Sequence, residues 1–138
     1  MELPFTQVGW FIPPYVALGT LDRLAHEISQ REGTLLVTRI SNAHFAAVRE
    51  KEATTVHHEV ARCITIDKSK RPKRAGTIAV VCAGTSDLPV AEEATVTAEI
   101  MGNEVLRVCD VGVAGLHRLL RRLEEIRRAM ILGLAQED

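Results

Sequence analysis

The sequence predicts an α/β protein: an N-terminal α+β unit followed by a truncated parallel β-α-β-α half-domain. Three observations carry that expectation. An apolar run, Ile78 to Cys82, enters a small-residue loop and leaves it as a helical pattern headed by Pro89. A second unit of the same kind follows at once, Glu104 to Cys109, then Asp110 to Gly115, then a helix opening at Leu116. The apolar residues are 46% of the chain but the aromatics only 4%, so aliphatic side chains dominate, as buried parallel strands require.

The elements follow in order. Residues 1–19 have no clear period, and Pro13 and Pro14 break the apolar stretch Trp10 to Leu18. With Glu2 in place of a basic leader, no signal peptide or membrane span is expected, and the default location is cytoplasmic. Thr20 is placed to cap a helix whose apolar positions are Leu21, Leu24, Ala25 and Ile28. Gly33 suits the left-handed residue after that helix. Thr34 to Ile40 reads as a strand. Ser41 is placed to cap a second helix bearing Phe45 and Val48. Val56 to Ile66 alternates and predicts one half-buried strand. Asp67 to Arg74 carries five positive charges, one negative and Pro72, which marks a solvated linker or a cationic patch. The expected boundaries are 1–66, a basic linker at 67–75, and 76–138.

In the second unit, a helix is predicted from about Pro89 to Met101, stopping at Gly102. A strand covers about Glu104 to Cys109. The last helix carries a stripe of Leu116, Leu119, Leu120, Leu123 and Ile126. Met130 to Leu134 has the pattern of a third strand, but the sequence ends four residues later, so two parallel strands are expected. Two parallel strands are not a stable domain. Cover must come from the N-terminal unit, from a homo-oligomer, or from a complementing second-half chain.

The net charge of −1 and the scarcity of aromatics argue against a nucleic-acid surface. Cys63, Cys82 and Cys109 are odd in number and far apart, which fits reduced thiols. His57 and His58, with Glu59 and Cys63, form the one cluster resembling metal ligands. Neighbouring strand residues face opposite ways, so no metal site is expected there.

The candidate binding residues sit in the two loops. Gly84 lets a ligand approach the backbone. Thr85 and Ser86 offer hydroxyls to phosphate oxygens. Asp87 can accept from ribose hydroxyls. Ser86 and Asp87 also stand where an N-cap belongs, a role any α/β protein needs. Gly115, His117 and Arg118 open the last helix. A helix start prefers acids, so Arg118 is electrostatically odd there. An incoming phosphate would resolve the mismatch. If both loops lie at one end of adjacent parallel strands, they converge on one ligand.

On Ala83-Gly-Thr-Ser-Asp-Leu-Pro-Val-Ala-Glu-Glu-Ala94 and Asp110-Val-Gly-Val-Ala-Gly-Leu-His-Arg-Leu119, the chain resembles the carboxylases of nickel-pincer cofactor synthesis, the pyridinium-3,5-biscarboxylic acid mononucleotide synthases. Leu36 to Arg39 and the His57 to Cys63 segment extend the likeness to about residues 20–130. The C-terminal domain of that family is similar to carboxyaminoimidazole ribonucleotide mutase, which implies a flavodoxin-like, three-layer arrangement. The resemblance implies carboxylation of nicotinic acid adenine dinucleotide by carbon dioxide or bicarbonate through a cysteine adduct, then hydrolysis releasing AMP. It assigns Ser86 to phosphate and Asp87 to ribose, with Gly115, His117 and Arg118 completing the pocket. It implies no resident cofactor and leaves a Mg²⁺ requirement open. Family members carry a later glycine-rich motif and a segment with the nucleophilic cysteine. Neither is in this sequence, and none of its three cysteines falls in that motif. A half enzyme is therefore expected. The alternatives are a non-catalytic nucleotide-binding or phosphate-binding module, or a relative of the purine-pathway mutase.

Overall fold

A computed structural model of the chain describes residues 18–68, 76–112 and 115–135. The chain divides into two compact units, Met1–Lys70 and Arg71–Asp138. Residues 1–17 and most of the basic linker, 69–75, lie outside the described residues.

The first unit is a three-stranded antiparallel sheet, order β1-β3-β2, with two helices. Helix α1 (Leu18–Glu32) buries Leu21 and Ala25 and partly buries Ile28, whereas Leu24 is 40% exposed at the rim of that stripe. Thr20 lies inside the helix, so it is not the cap that its position in the sequence predicts. Gly33 ends α1 with φ +74, and its N–H donates to Ser29 O at 3.0 Å. That is the left-handed stop a residue without Cβ reaches at least cost.

Strand β1 (Thr34–Val37) is buried along its whole length. It is shorter than the sequence pattern predicts because Arg39 turns the backbone to φ +56, although Ile40 still reaches the core. Ser41 caps α2 (Asn42–Lys51), with His44 completing a reciprocal capping box in the place usually held by Glu or Gln. Val48 is buried and Phe45 packs beside it.

The predicted single strand from Val56 to Ile66 is a hairpin. Strands β2 (Val56–His58) and β3 (Cys63–Asp67) pair antiparallel, with Val56 opposite Thr65. Between them Arg62 N–H donates to Glu59 O at 3.1 Å and Arg62 takes φ +54. Val60, which an uninterrupted alternation would put on the core face, is 51% exposed at the turn.

One buried carboxylate ties this unit together. Glu52 follows α2 and is 6% exposed. Its Oε1 lies 2.8 Å from His26 Nδ1 and accepts from Gln30 Nε2 at 3.1 Å, both on α1. Its Oε2 meets Lys68 Nζ at 2.8 Å, just past β3. The Lys68 ammonium holds the Glu52 carboxyl below the ordinary glutamate range; burial opposes it, and Gln30 and His26 assist. A carboxylate with a lowered folded-state pKa stabilises the fold above its unfolded pKa of about 4.3 and loses that contribution as pH falls through the folded value.

The second unit is a three-stranded parallel sheet, order β5-β4-β6. Strand β4 (Thr77–Cys82) is central. Strand β5 (Glu104–Val108) pairs on one side, with Ile78 beside Val105. Strand β6 (Met130–Ala135) pairs on the other, with Ile78 beside Met130. The third strand, which the sequence pattern only begins, is therefore formed, and the expectation of two parallel strands is corrected. Both edges of β4 are paired.

The strand alternation sorts residues to two faces. Ala79, Val81 and Val108 pack with Leu119 and Ile126 of the last helices. Val80 and Cys82 pack with Ala91 and Ala94 of α3 (Leu88–Ile100). Helices thus cover both faces, the three-layer α/β arrangement. Helix α3 stops at Gly102, φ +90, as its sequence predicts. The last helix is broken at Arg122 into α4 (Leu116–Arg121) and α5 (Leu123–Arg128). Of the predicted stripe only Leu119 and Ile126 face the core. Leu116, Leu120 and Leu123 are 57%, 59% and 36% exposed.

Glu52→Gln in the full chain is expected to flatten the loss of thermal stability below about pH 5. It should cost about 1–3 kcal/mol at neutral pH, the worth of hydrogen bonds to a charged group. Melting midpoints followed against pH check this; an unaltered acid limb contradicts the role given to Glu52.

Candidate functional site

The candidate residues lie at the carboxyl edge of the parallel sheet, where β4 and β5 hand the chain to their helices. After Cys82 the backbone runs through Ala83 and an extended Gly84 (φ −132, ψ 170) into a 3-10 turn, Thr85–Asp87. Helix α3 begins at Leu88, with Pro89 in its first turn, where its missing N–H costs nothing. Thr85 and Ser86 are exposed. Asp87 occupies the N-cap position but makes no side-chain cap, because its backbone is already near-helical (φ −86, ψ −4). Its Oδ2 is buried and, among the described residues, has no hydrogen-bond partner. A buried acceptor without a donor is costly in a folded protein.

The second loop is fastened to the first by backbone. Val111 N–H donates to Cys82 O at 3.4 Å, and Gly112 N–H to Ala83 O at 3.0 Å. The parallel pairing thus continues past the strand ends. Close approach explains two glycines. A Cβ on Gly112 would lie 3.0 Å from Ala83 O, and one on Gly115 would lie 2.7 Å from Asp110 O. Gly115 N–H closes the loop on Gly112 O at 2.7 Å. Val113 and Ala114 lie outside the described residues.

Arg118 turns back on its own loop. Its Nη1 donates to the Asp110 Oδ2 carboxylate and, at 3.3 Å, to Asp110 O. Asp110 takes φ +58, a left-handed conformation that aspartate tolerates better than most residues. The sequence assigns the odd cation at this helix start to an incoming phosphate; in the structure Asp110 already balances it. His117 is exposed beside it. Among the described residues no hydrogen bond or ion pair joins Asp87 to Arg118. The two loops are brought together, but α3 leaves on one face of the sheet and α4 on the other.

Two residues at this edge escaped the sequence reading of the site. Asp110 is one. Cys82 is the other: it is fully buried, and its Sγ–H donates to Gly84 O at 2.8 Å. Burial pushes the Cys82 thiol up, and its neighbours Cys109 and Asp87 add to the effect. That both strand patterns end in cysteine was the available signal. Register across the sheet was what the sequence lacked.

The other polar candidates have local partners. The His57 ring stacks on Phe45, with centroids 4.5 Å apart. His58 Nε2 lies 2.9 Å from Thr65 Oγ1. Glu92 accepts from Arg107 Nε at 3.1 Å. Among the described residues no three His, Cys, Asp or Glu side chains gather into a metal-sized cluster. Among them, too, no helix is long and apolar enough to cross a membrane.

No family model matches the chain. It is 33% identical over 106 residues to an uncharacterized protein of Methanocaldococcus jannaschii. The match covers 72% of this chain and 41% of that relative, so the chain spans about two fifths of the relative's length.

Gly115→Ala is expected to destabilise the second unit by about 1–3 kcal/mol, the usual cost of forcing an atom into a filled space. Urea denaturation of the full chain checks it. A wild-type midpoint would mean that the Asp110 carbonyl yields without cost.

Proposed function

We propose that the carboxyl edge of the C-terminal sheet binds a phosphorylated ribose. We further propose that the chain belongs to a cytoplasmic carboxylase/hydrolase acting on nicotinic acid adenine dinucleotide, with carbon dioxide or bicarbonate as co-substrate. The observation that carries the reading is the buried Asp87 oxygen without a donor, set beside two loops fastened through Cys82 O and Ala83 O. An ionised carboxylate accepts but does not donate, so a sugar hydroxyl is the fitting partner and a phosphate is not. In open α/β sheets this edge is also the usual place for ligands.

The remaining roles follow from chemistry. Thr85 and Ser86 are exposed at the start of a 13-residue helix, whose first turn favours anions. Arg118 lies in the first turn of the helix that follows the second loop. Its partner Asp110 does not bar it from a phosphate, because the two side chains are 51% and 61% exposed. Such surface pairs contribute only about 0–1 kcal/mol. The diphosphate of the dinucleotide, which carries two negative charges in all, can replace Asp110 and gain a charge-assisted bond. Gly115 keeps the loop tight and His117 borders it. Cys63, Cys82 and Cys109 receive no part in a cysteine adduct, since none occupies the family's nucleophile motif. Mg²⁺, if required, would ride on the substrate phosphates. The exposed Leu116 and Leu120 suit a homo-oligomer or a complementing chain that covers them.

A binding module without turnover is the second reading. It is favoured by the absence, among the candidate residues, of a positioned acid–base pair.

Arg118→Ala is expected to weaken binding of nicotinic acid adenine dinucleotide by ~1.5–3 kcal/mol, the worth of a charged hydrogen bond. Asp87→Ala should weaken it while sparing the affinity for inorganic phosphate. Titration calorimetry on the full chain measures both. Unchanged affinity in Arg118→Ala removes that residue from the site, and unchanged affinity in both variants sinks the reading.

A further inference from the structure

The register of the parallel sheet sets two cysteines side by side. Val81 of β4 pairs with Val108 of β5, and the next residue on each chain is a cysteine, Cys82 and Cys109. Adjacent strands run about 4.8 Å apart. That lies within the roughly 4.4–6.8 Å that separates the Cα atoms of disulfide-bonded cysteines. Side chains alternate along a strand, so both thiols leave on the face opposite Val81 and Val108. That is the α3 face, where Cys82 packs with Val80 and Ala91. Cys109 is among the neighbours that push the Cys82 thiol up, after burial itself. The two differ in access: Cys82 is fully buried and Cys109 is exposed.

We propose that Cys82 and Cys109 are a reversible dithiol–disulfide pair, with Cys109 as the thiol that meets a peroxide and Cys82 as the one that resolves it. The Cys109 sulfur attacks one peroxide oxygen. The O–O bond breaks, giving the Cys109 sulfenic acid and one water. The Cys82 sulfur then attacks the sulfenic sulfur, and its proton leaves with the hydroxyl as a second water. Two thiols and one hydrogen peroxide thus become one disulfide and two waters, with sulfur oxidised and peroxide reduced. A small thiol reductant reverses the step.

The bond reaches the candidate site through one atom. Cys82 gives its hydrogen to Gly84 O. The disulfide has no such hydrogen, so the loop that opens α3 loses that tether on oxidation. Cys63 is an internal control. It lies in the other unit, fully buried, with its Sγ–H given to Ala61 O at 3.1 Å.

The test treats the full chain with stoichiometric hydrogen peroxide, blocks remaining thiols, and reads intact mass and peptide maps. The expected result is loss of two hydrogen masses, a linked Cys82–Cys109 peptide, and a fall from three titratable thiols to one, all undone by dithiothreitol. Cys109→Ser should keep both remaining thiols. Cys82→Ser should leave Cys109 to gain oxygen step by step. If that buried substitution prevents folding, the wild-type peptide map still decides. Oxygen addition to Cys109 in the wild type with no linked peptide, or a covalent dimer through Cys109, overturns the proposal.

Discussion

The carboxyl edge of the second sheet depends on two backbone hydrogen bonds, Val111 N–H to Cys82 O and Gly112 N–H to Ala83 O. They carry the parallel pairing of β4 and β5 beyond the strands and hold two irregular loops at a fixed separation. Gly112 stands where a Cβ would crowd Ala83 O across the loops, and Gly115 where one would crowd Asp110 O within its own loop. The central position of β4 does the rest. With β5 on one side and β6 on the other, the following helices depart on opposite faces.

The electrostatics of that edge are uneven. Arg118 has a carboxylate partner within its own loop, and Asp87 has a buried oxygen with none among the described residues. The exposed pair is replaceable at small cost, whereas the unpartnered oxygen is a standing penalty that a donor relieves. The geometry therefore ranks the two candidates differently from the sequence. Asp87, which doubles as a plausible cap, makes no cap and carries the stronger case. Arg118, the more conspicuous residue in the sequence, is locally satisfied.

Much of the fold was legible because it rests on local signals. The strands at Thr77–Cys82 and Glu104–Val108, the stops at Gly33 and Gly102, and the cap at Ser41 each follow from residues within a few positions. The failures are the non-local ones. The turn from Glu59 to Arg62 has neither glycine nor proline, so the period-two alternation runs through it unmarked; only Arg62 in a left-handed conformation reveals it. The break at Arg122 leaves the helical spacing intact and so goes unmarked, and Leu116 and Leu120 of the predicted stripe are exposed. The Asp110–Arg118 pair and the Cys82–Cys109 neighbours need the loop path and the strand register, neither of which is written in spacing. The position of the two loops at the carboxyl edge of the sheet was readable; the partners of their side chains were not.

The central claim is that both loops, acting as one edge, receive a phosphorylated ribose. Hydrogen–deuterium exchange of the full chain with and without AMP tests it most directly. The account predicts slower exchange in peptides covering both 83–91 and 110–118, with inorganic phosphate giving less protection at 83–91. Protection confined to one loop, or found only in the N-terminal unit, would contradict it.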